Sequence, residues 1–184
     1  MDLQNEGADN PRVAVYVHKC LRGLRPSYCQ DLIDHWDILI FSLGWGEDLL
    51  LLANVYSDEQ HTVIHILYEW MMDWLGLFSM GGDFNCRHQS WDPWGPVMNV
   101  HANQLEAAAT YLGLTRGMPE VEGPTHFPYN IQLELTVIDL VYVPMELSLR
   151  VMHKICQYFT LPPPSLSGLC LDTWAVLGLS ELSK

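Results

Sequence analysis

Positive charge is scarce in this chain: 9 Lys+Arg stand against 22 Asp+Glu in 184 residues, a formal net charge of -13. That balance excludes a general attraction to nucleic acid, so any contact with phosphate has to be local. The few cations that gather early, Arg12, Lys19, Arg22 and Arg25, form either one cationic strip or an ordinary solvated face. Cysteine is sparse too. Cys20, Cys29, Cys86, Cys156 and Cys170 are odd in number and contain no C-x-x-C pair, which argues against a disulfide framework or a zinc site and for a reducing compartment. No apolar run approaches the ~18 residues of a membrane-spanning helix, and the acidic opening MDLQNEGADN does not resemble a secretory or transit signal. No internal repeat is visible. The expectation is a soluble intracellular protein, nuclear or cytoplasmic.

What the chain does have is apolar substance, 49% hydrophobic residues, enough for one domain with a real core. RVAVYV alternates, with Val13, Val15 and Val17 on one side, as a half-buried strand does. LRGLRPSYCQDLIDHW reads as loop and then a short helix from Pro26. DILIFSL and DLLLLANVYS, separated by GWGE, read as buried neighbouring strands. Ser57 with Gln60 three residues later is a capping-box pattern, after which Val63, Ile64, Leu67, Met71, Trp74 and Leu75 recur at helical spacing. LGLFSM is a further strand, NQLEAAATYLGL a second helix stopped by Gly113, and LTVIDLVYVP a strand closed by Pro144. Strands interleaved with helices predict a mixed α and β layered domain.

Two places carry chemistry. In GGDFN, strand alternation places Asp83 and Asn85 on one side and Phe84 opposite, in the core. A carboxylate to orient or deprotonate water beside an amide that donates to phosphoryl oxygens suits phosphate ester hydrolysis; the alternative is a glycine turn that finishes a strand with two polar residues. The second place is Asp139, inside the apolar TVIDLVYV on the face of Val137 and Val141. A buried unpaired carboxylate costs several kcal/mol, so Asp139 either has a histidine or arginine partner or faces a wet groove at a sheet edge. His61 and His65, spaced i, i+4 in HTVIH, lack the glutamate of the zinc-protease motif and read as part of an amphipathic helix. Trp70 and Trp74 continue that helix stripe; with Trp91 and Trp94 they read as packing before base stacking.

Taken in order, NVYS at the end of one strand, GGDFN after another, GPTH and VIDLVYVP resemble the endonuclease/exonuclease/phosphatase superfamily, over roughly Arg12 to Pro144. The continuation Asn85, His88, Trp91 is similar to the N-x-x-H-x-x-W of non-long-terminal-repeat retrotransposon endonuclease domains. The resemblance implies an α+β fold, the DNase I-like four-layer α/β/β/α sandwich, and magnesium- or manganese-dependent phosphodiester cleavage with DNA as substrate. It implies that Asp83 orients the water and touches the metal, that Asn85 stabilises the transition state, and that Tyr56 contacts the scissile phosphate. Asp139 takes the place of the aspartate that orients a catalytic histidine. Thr125 shapes the strand leading to Asp139 and lies with His88 and Trp91 along the substrate side, where those two serve packing or the substrate groove and not the chemistry.

The family also has an asparagine and a metal-binding glutamate upstream of the equivalent of RVAVYV, and a terminal Ser-Asp-His. Only eleven residues precede Arg12, and the nearest match to the terminal motif is Ser180, Glu181, Leu182, with leucine in the place of histidine. The expectations are a weak magnesium site and a fold truncated at both ends, with an endonuclease-like domain over 12–150 and a divergent tail over 151–184. Functionally the chain reads as an endonuclease-type hydrolase derived from a retrotransposon, with an inactive remnant or interaction module that keeps the fold core as the alternative.

Overall fold

In the computed structural model the described residues are 2–4, 12–17, 19–45, 48–69, 76–117, 124–125 and 135–145. The expected tail over 151–184 lies outside them, as do Trp70, Met71, Trp74 and Leu75 of the first helix stripe.

The apolar runs form the strands they predict. β1 (Asp2–Gln4) and β2 (Ala14–Tyr16) pair antiparallel as a two-stranded sheet. β3 (Ser27–Tyr28), β4 (Ile38–Trp45), β5 (Asp48–Tyr56), β6 (Leu77–Asp83), β7 (Leu114–Arg116) and β8 (Asp139–Pro144) form a mixed sheet in the order β3-β4-β5-β6-β8-β7. β4 and β5 are an antiparallel pair closed at Trp45↔Asp48. β5 and β6 run parallel, so the chain between them must cross over, and α1 (Thr62–Glu69) lies in that crossover.

Register sorts the side chains. Ile40, Ala53, Met80 and Tyr142 are successive row neighbours, and all four belong to the core that α1 and α2 (Val100–Tyr111) complete with Val63, Ile64, Leu67, Ala102, Leu105, Ala108 and Ala109. The opposite face carries Leu39, Leu52 and Asn54, also buried. Asn54 donates its amide to the Ala14 carbonyl at 2.9 Å, which ties β2 to that second face. In β2 the alternation holds: Val13 and Val17 are buried, while Ala14 and Tyr16 are exposed.

The helices start elsewhere than the sequence predicts. Ser57 does not cap α1. Its N–H is bonded to the Asp83 carbonyl at 2.7 Å, a continuation of strand pairing, and the cap passes to Asp58, whose two carboxylate oxygens accept from the Thr62 N–H and hydroxyl, each at 2.9 Å. Burial alone would raise the Asp58 carboxyl, but the Thr62 hydrogen bonds and the nearby Arg12 charge hold it below its ordinary value. α2 begins ahead of the predicted Asn103 because the Asn99 side chain accepts from the His101 and Ala102 N–H groups. It ends as expected at Gly113, whose φ of 72° suits glycine.

The helix predicted from Pro26 is absent. A 3-10 helix occupies Lys19–Leu24 before the proline, and Ser27–Tyr28 pair instead with Ser42 and Phe41 at the open edge of β4. Edge hydrogen bonding there outweighs local helix preference. Nor is there a single early cationic strip: Lys19, Arg22 and Arg25 are exposed on and just after the 3-10 helix, whereas Arg12 is ion-paired with buried Asp37.

Candidate active site

Strand pairing brings the separated motifs together. Tyr56 ends β5, Asp83 ends β6 and Asp139 begins β8, and the registers Tyr56↔Asp83 and Asp83↔Asp139 set all three side by side at one end of the sheet. Register partners share a face, so this row points away from α1 and α2, toward the side where β2 lies. The Asp37 carbonyl accepts from the Tyr56 N–H at 2.9 Å, which extends the row to the start of β4. Arg12 forks onto the Asp37 carboxylate through Nε and Nη2, and its guanidinium lies 5.0 Å from the Tyr56 ring centre.

Asp83 is 8% exposed, and its Oδ1 accepts from the Asn85 N–H at 2.9 Å, an Asx turn that closes the strand end. Alternation therefore stops at Asp83. Phe84 does enter the core, fully buried and edge-on to Tyr142, but Asn85 takes a left-handed φ of 47° and sits in a turn. Its Nδ2 donates to the Ser57 carbonyl at 2.6 Å, so the amide is held close to both strand ends by a bond that strand geometry did not predict. One N–H of that amide remains for another acceptor.

Thr125 positions Asp139. Its Oγ1 accepts from the backbone N–H groups of Ile138 and Asp139, both at 3.0 Å, and its own N–H donates to the Thr136 carbonyl at 2.9 Å. Thr125→Val removes this double acceptor at an exposed side chain and is expected to destabilise by about 0.5–1.5 kcal/mol, whereas Thr125→Ser stays near wild type. Urea denaturation of both variants checks the difference; equal midpoints would show that the hydroxyl is dispensable.

His88 and Trp91 belong to the loop that follows. The His88 Nε2 lies 3.0 Å from the Val97 carbonyl and its Nδ1 2.8 Å from the Ser90 hydroxyl, a pattern satisfied by a neutral ring protonated at Nε2. Trp91 is buried, donates to the Cys86 carbonyl at 3.3 Å, and has the Arg116 guanidinium 6.0 Å from its ring centre. Both side chains thus brace the loop. So do Arg87 and Asp92, which the motif reading missed: the fully buried Asp92 receives Arg87 Nε at 2.6 Å and the Trp94 N–H at 3.1 Å. Their spacing, five residues apart in a loop, gives no periodic signal. Cys86 is no nucleophile, since burial first, and then Asp83 and Glu106, push its thiol up to about 12.

His61 and His65 lie one helical turn apart, with the His65 N–H bonded to the His61 carbonyl at 3.2 Å, and both rings face His101 of α2. His61 precedes α1 with a φ of 58° and stacks on His101 of α2. Among the described residues no three His, Cys, Asp or Glu side chains are arranged to hold a metal ion. The row itself offers the paired carboxylates of Asp83 and Asp139, a donor set that fits a largely hydrated magnesium ion, which takes one or two carboxylates and leaves the remaining positions to water and phosphate. No helix among the described residues is long and apolar enough to cross a membrane.

No family model and no curated protein matches the sequence. The structure does match a solved one, the endonuclease domain of TRAS1, a telomere-specific non-LTR retrotransposon, with a TM-score of 0.59 at 16% identity over 80% of this chain and 68% of that domain. The mixed six-stranded sheet with its two helices accordingly has a DNase I-like α+β fold, that of a retrotransposon endonuclease domain.

Proposed function

We propose that this chain is an endonuclease-type phosphodiester hydrolase domain of retrotransposon origin, with DNA as its substrate. The observation that carries the reading is the single row of Tyr56, Asp83 and Asp139 on adjacent strands, with Asn85 fixed in the turn two residues after Asp83. In this reading the described sheet is one of two in a four-layer α/β/β/α sandwich, the β1–β2 pair lying toward the second sheet.

Asp83 orients a water and accepts its proton, and the remaining N–H of the Asn85 amide donates to a phosphoryl oxygen. The Tyr56 hydroxyl contacts the scissile phosphate, and Asp139, steadied by Thr125, adds the second carboxylate. A divalent cation, magnesium or manganese, would be held by Asp83 with Asp139 beside it, and would supply charge neutralisation at the phosphate. Arg12 is the cation beside Tyr56 in a chain whose overall charge repels DNA.

The second reading, an inactive remnant or interaction module, is favoured by one feature: among the described residues no three His, Cys, Asp or Glu side chains are arranged to hold a metal ion. Nicking of supercoiled plasmid separates the two. The proposal expects magnesium-dependent nicking that EDTA and Asp83→Ala both abolish; equal background from wild type and variant assigns the chain to the second reading.

A further inference from the structure

Three histidines meet where α1 packs on α2. The rings of His61 and His101 have centres 4.1 Å apart, and His65 meets His101 edge-on at 5.2 Å. The Phe84 main chain, between Asp83 and Asn85, lies beside the His61 ring and favours its charged form. His61 Nδ1 is buried and has no hydrogen-bond partner. The charged ring, with N–H on both nitrogens, would therefore hold an Nδ1–H without an acceptor, against two other imidazoles.

We infer that His61, His65 and His101 form a proton-responsive joint that holds α1 against α2 while His61 and His101 are neutral, and loosens when those two rings protonate. The groups facing His61 are His101 on α2, His65 on α1 and Asp58 at the α1 cap; the group facing His101, besides His61, is His65. Asp58 is the one carboxylate in that set, and its two oxygens are already engaged by Thr62. The cluster therefore holds three potential cations against one committed anion.

The direction of the pH effect follows. Burial, and then the neighbouring imidazoles, lower His61 below the ordinary histidine value; burial and His65 lower His101. A lowered folded value means that the unfolded chain binds more protons, so stability is fully present above about pH 6.5, the unfolded value, and is lost as pH falls from there through the folded values. Ser57 joins the joint to the row: its N–H binds the Asp83 carbonyl and its carbonyl accepts the Asn85 amide, so a shift of Phe84 is felt on both sides of it.

The test is an NMR titration of the full chain from about pH 8 to about pH 5, following imidazole and backbone signals together, with melting curves at each end of the range. The expected result is that His61 and His101 titrate together below the ordinary value, that the Phe84 and Asn85 amide signals follow the same midpoint, and that the melting temperature drops by about 3 °C or more toward acid. His101→Gln, which removes one imidazole and keeps a polar side chain, should raise the His61 midpoint and flatten the pH dependence. His65→Gln should do the same to a smaller degree, and it stands in if His101→Gln does not fold. Independent titration of the three rings at ordinary values, or Phe84 and Asn85 amides that do not follow His61, overturns the inference. Its outcome does not depend on catalysis, since neither readout uses nucleic acid.

Discussion

Gly82→Ala is expected to remove a large share of the stability of this fold, about 3 kcal/mol or more against a typical total of about 5–15. Gly82 has a φ of 154°, and a Cβ there would lie 1.9 Å from the Val55 carbonyl oxygen, 2.7 Å from the carbonyl carbon and 2.9 Å from Cγ2. The first two atoms are backbone of the paired strand, Val55↔Gly82, so no rotamer relieves the contact. Relief requires β5 and β6 to part at the position immediately before Tyr56↔Asp83, so the strand pairing and the candidate site fail together. Gly23→Ala is the control: no atom lies within 4 Å of its added Cβ, and it should unfold within about 0.5 kcal/mol of wild type. Urea denaturation followed by circular dichroism reads both. Coincident curves for Gly82→Ala and wild type would show that the strands accommodate the methyl group and that this approach does not determine the fold.

The pair Gly81-Gly82 also shows what can be read from the chain and what cannot. DILIFSL, DLLLLANVYS and LGLFSM are visible as strands because continuous apolar runs of that length belong in a buried sheet, and they became β4, β5 and β6. α2 is visible because NQLEAAATYL is made mostly of strong helix formers and Gly113 stops it. β3 and β7, with two and three residues, are too short to show a period, and they exist because β4 and β8 offer open edges. At the site, the residue types of Asp83, Asn85, Tyr56 and Asp139 stood out, but their adjacency depends on pairing between segments 27 and 56 positions apart, Tyr56 with Asp83 and Asp83 with Asp139, which no local pattern records. Alternation placed Phe84 correctly but does not extend to Asn85, because β6 ends at Asp83 and the chain turns once Phe84 has entered the core. The Arg12–Asp37 pair was missed for the same reason: charge clustering groups neighbours in sequence, whereas Arg12 finds its partner 25 residues away.

Asp83→Asn is the substitution that best isolates the proposed chemistry. Asparagine keeps an oxygen to accept the Asn85 N–H, so the turn after β6 should survive, while the charge and the capacity to take a proton are lost. If Asp83 is the base, magnesium-dependent nicking falls by about 10²- to 10⁴-fold. Stability should hold or rise by a few tenths of a kcal/mol, because the substitution removes one of two like charges set directly opposite each other on β6 and β8. Asp83→Ala should lose nicking to the same extent and also about 1 kcal/mol of stability, since the buried turn then has no acceptor for the Asn85 N–H. The two variants together separate charge from scaffold. Loss of nicking in both, with stability lost only in alanine, assigns the chemistry to the carboxylate. Full nicking by Asp83→Asn beside loss in Asp83→Ala would mean that the aspartate serves to hold Asn85 in place, and the proton would then have to go to another group on the row, of which Asp139 is the nearest in register.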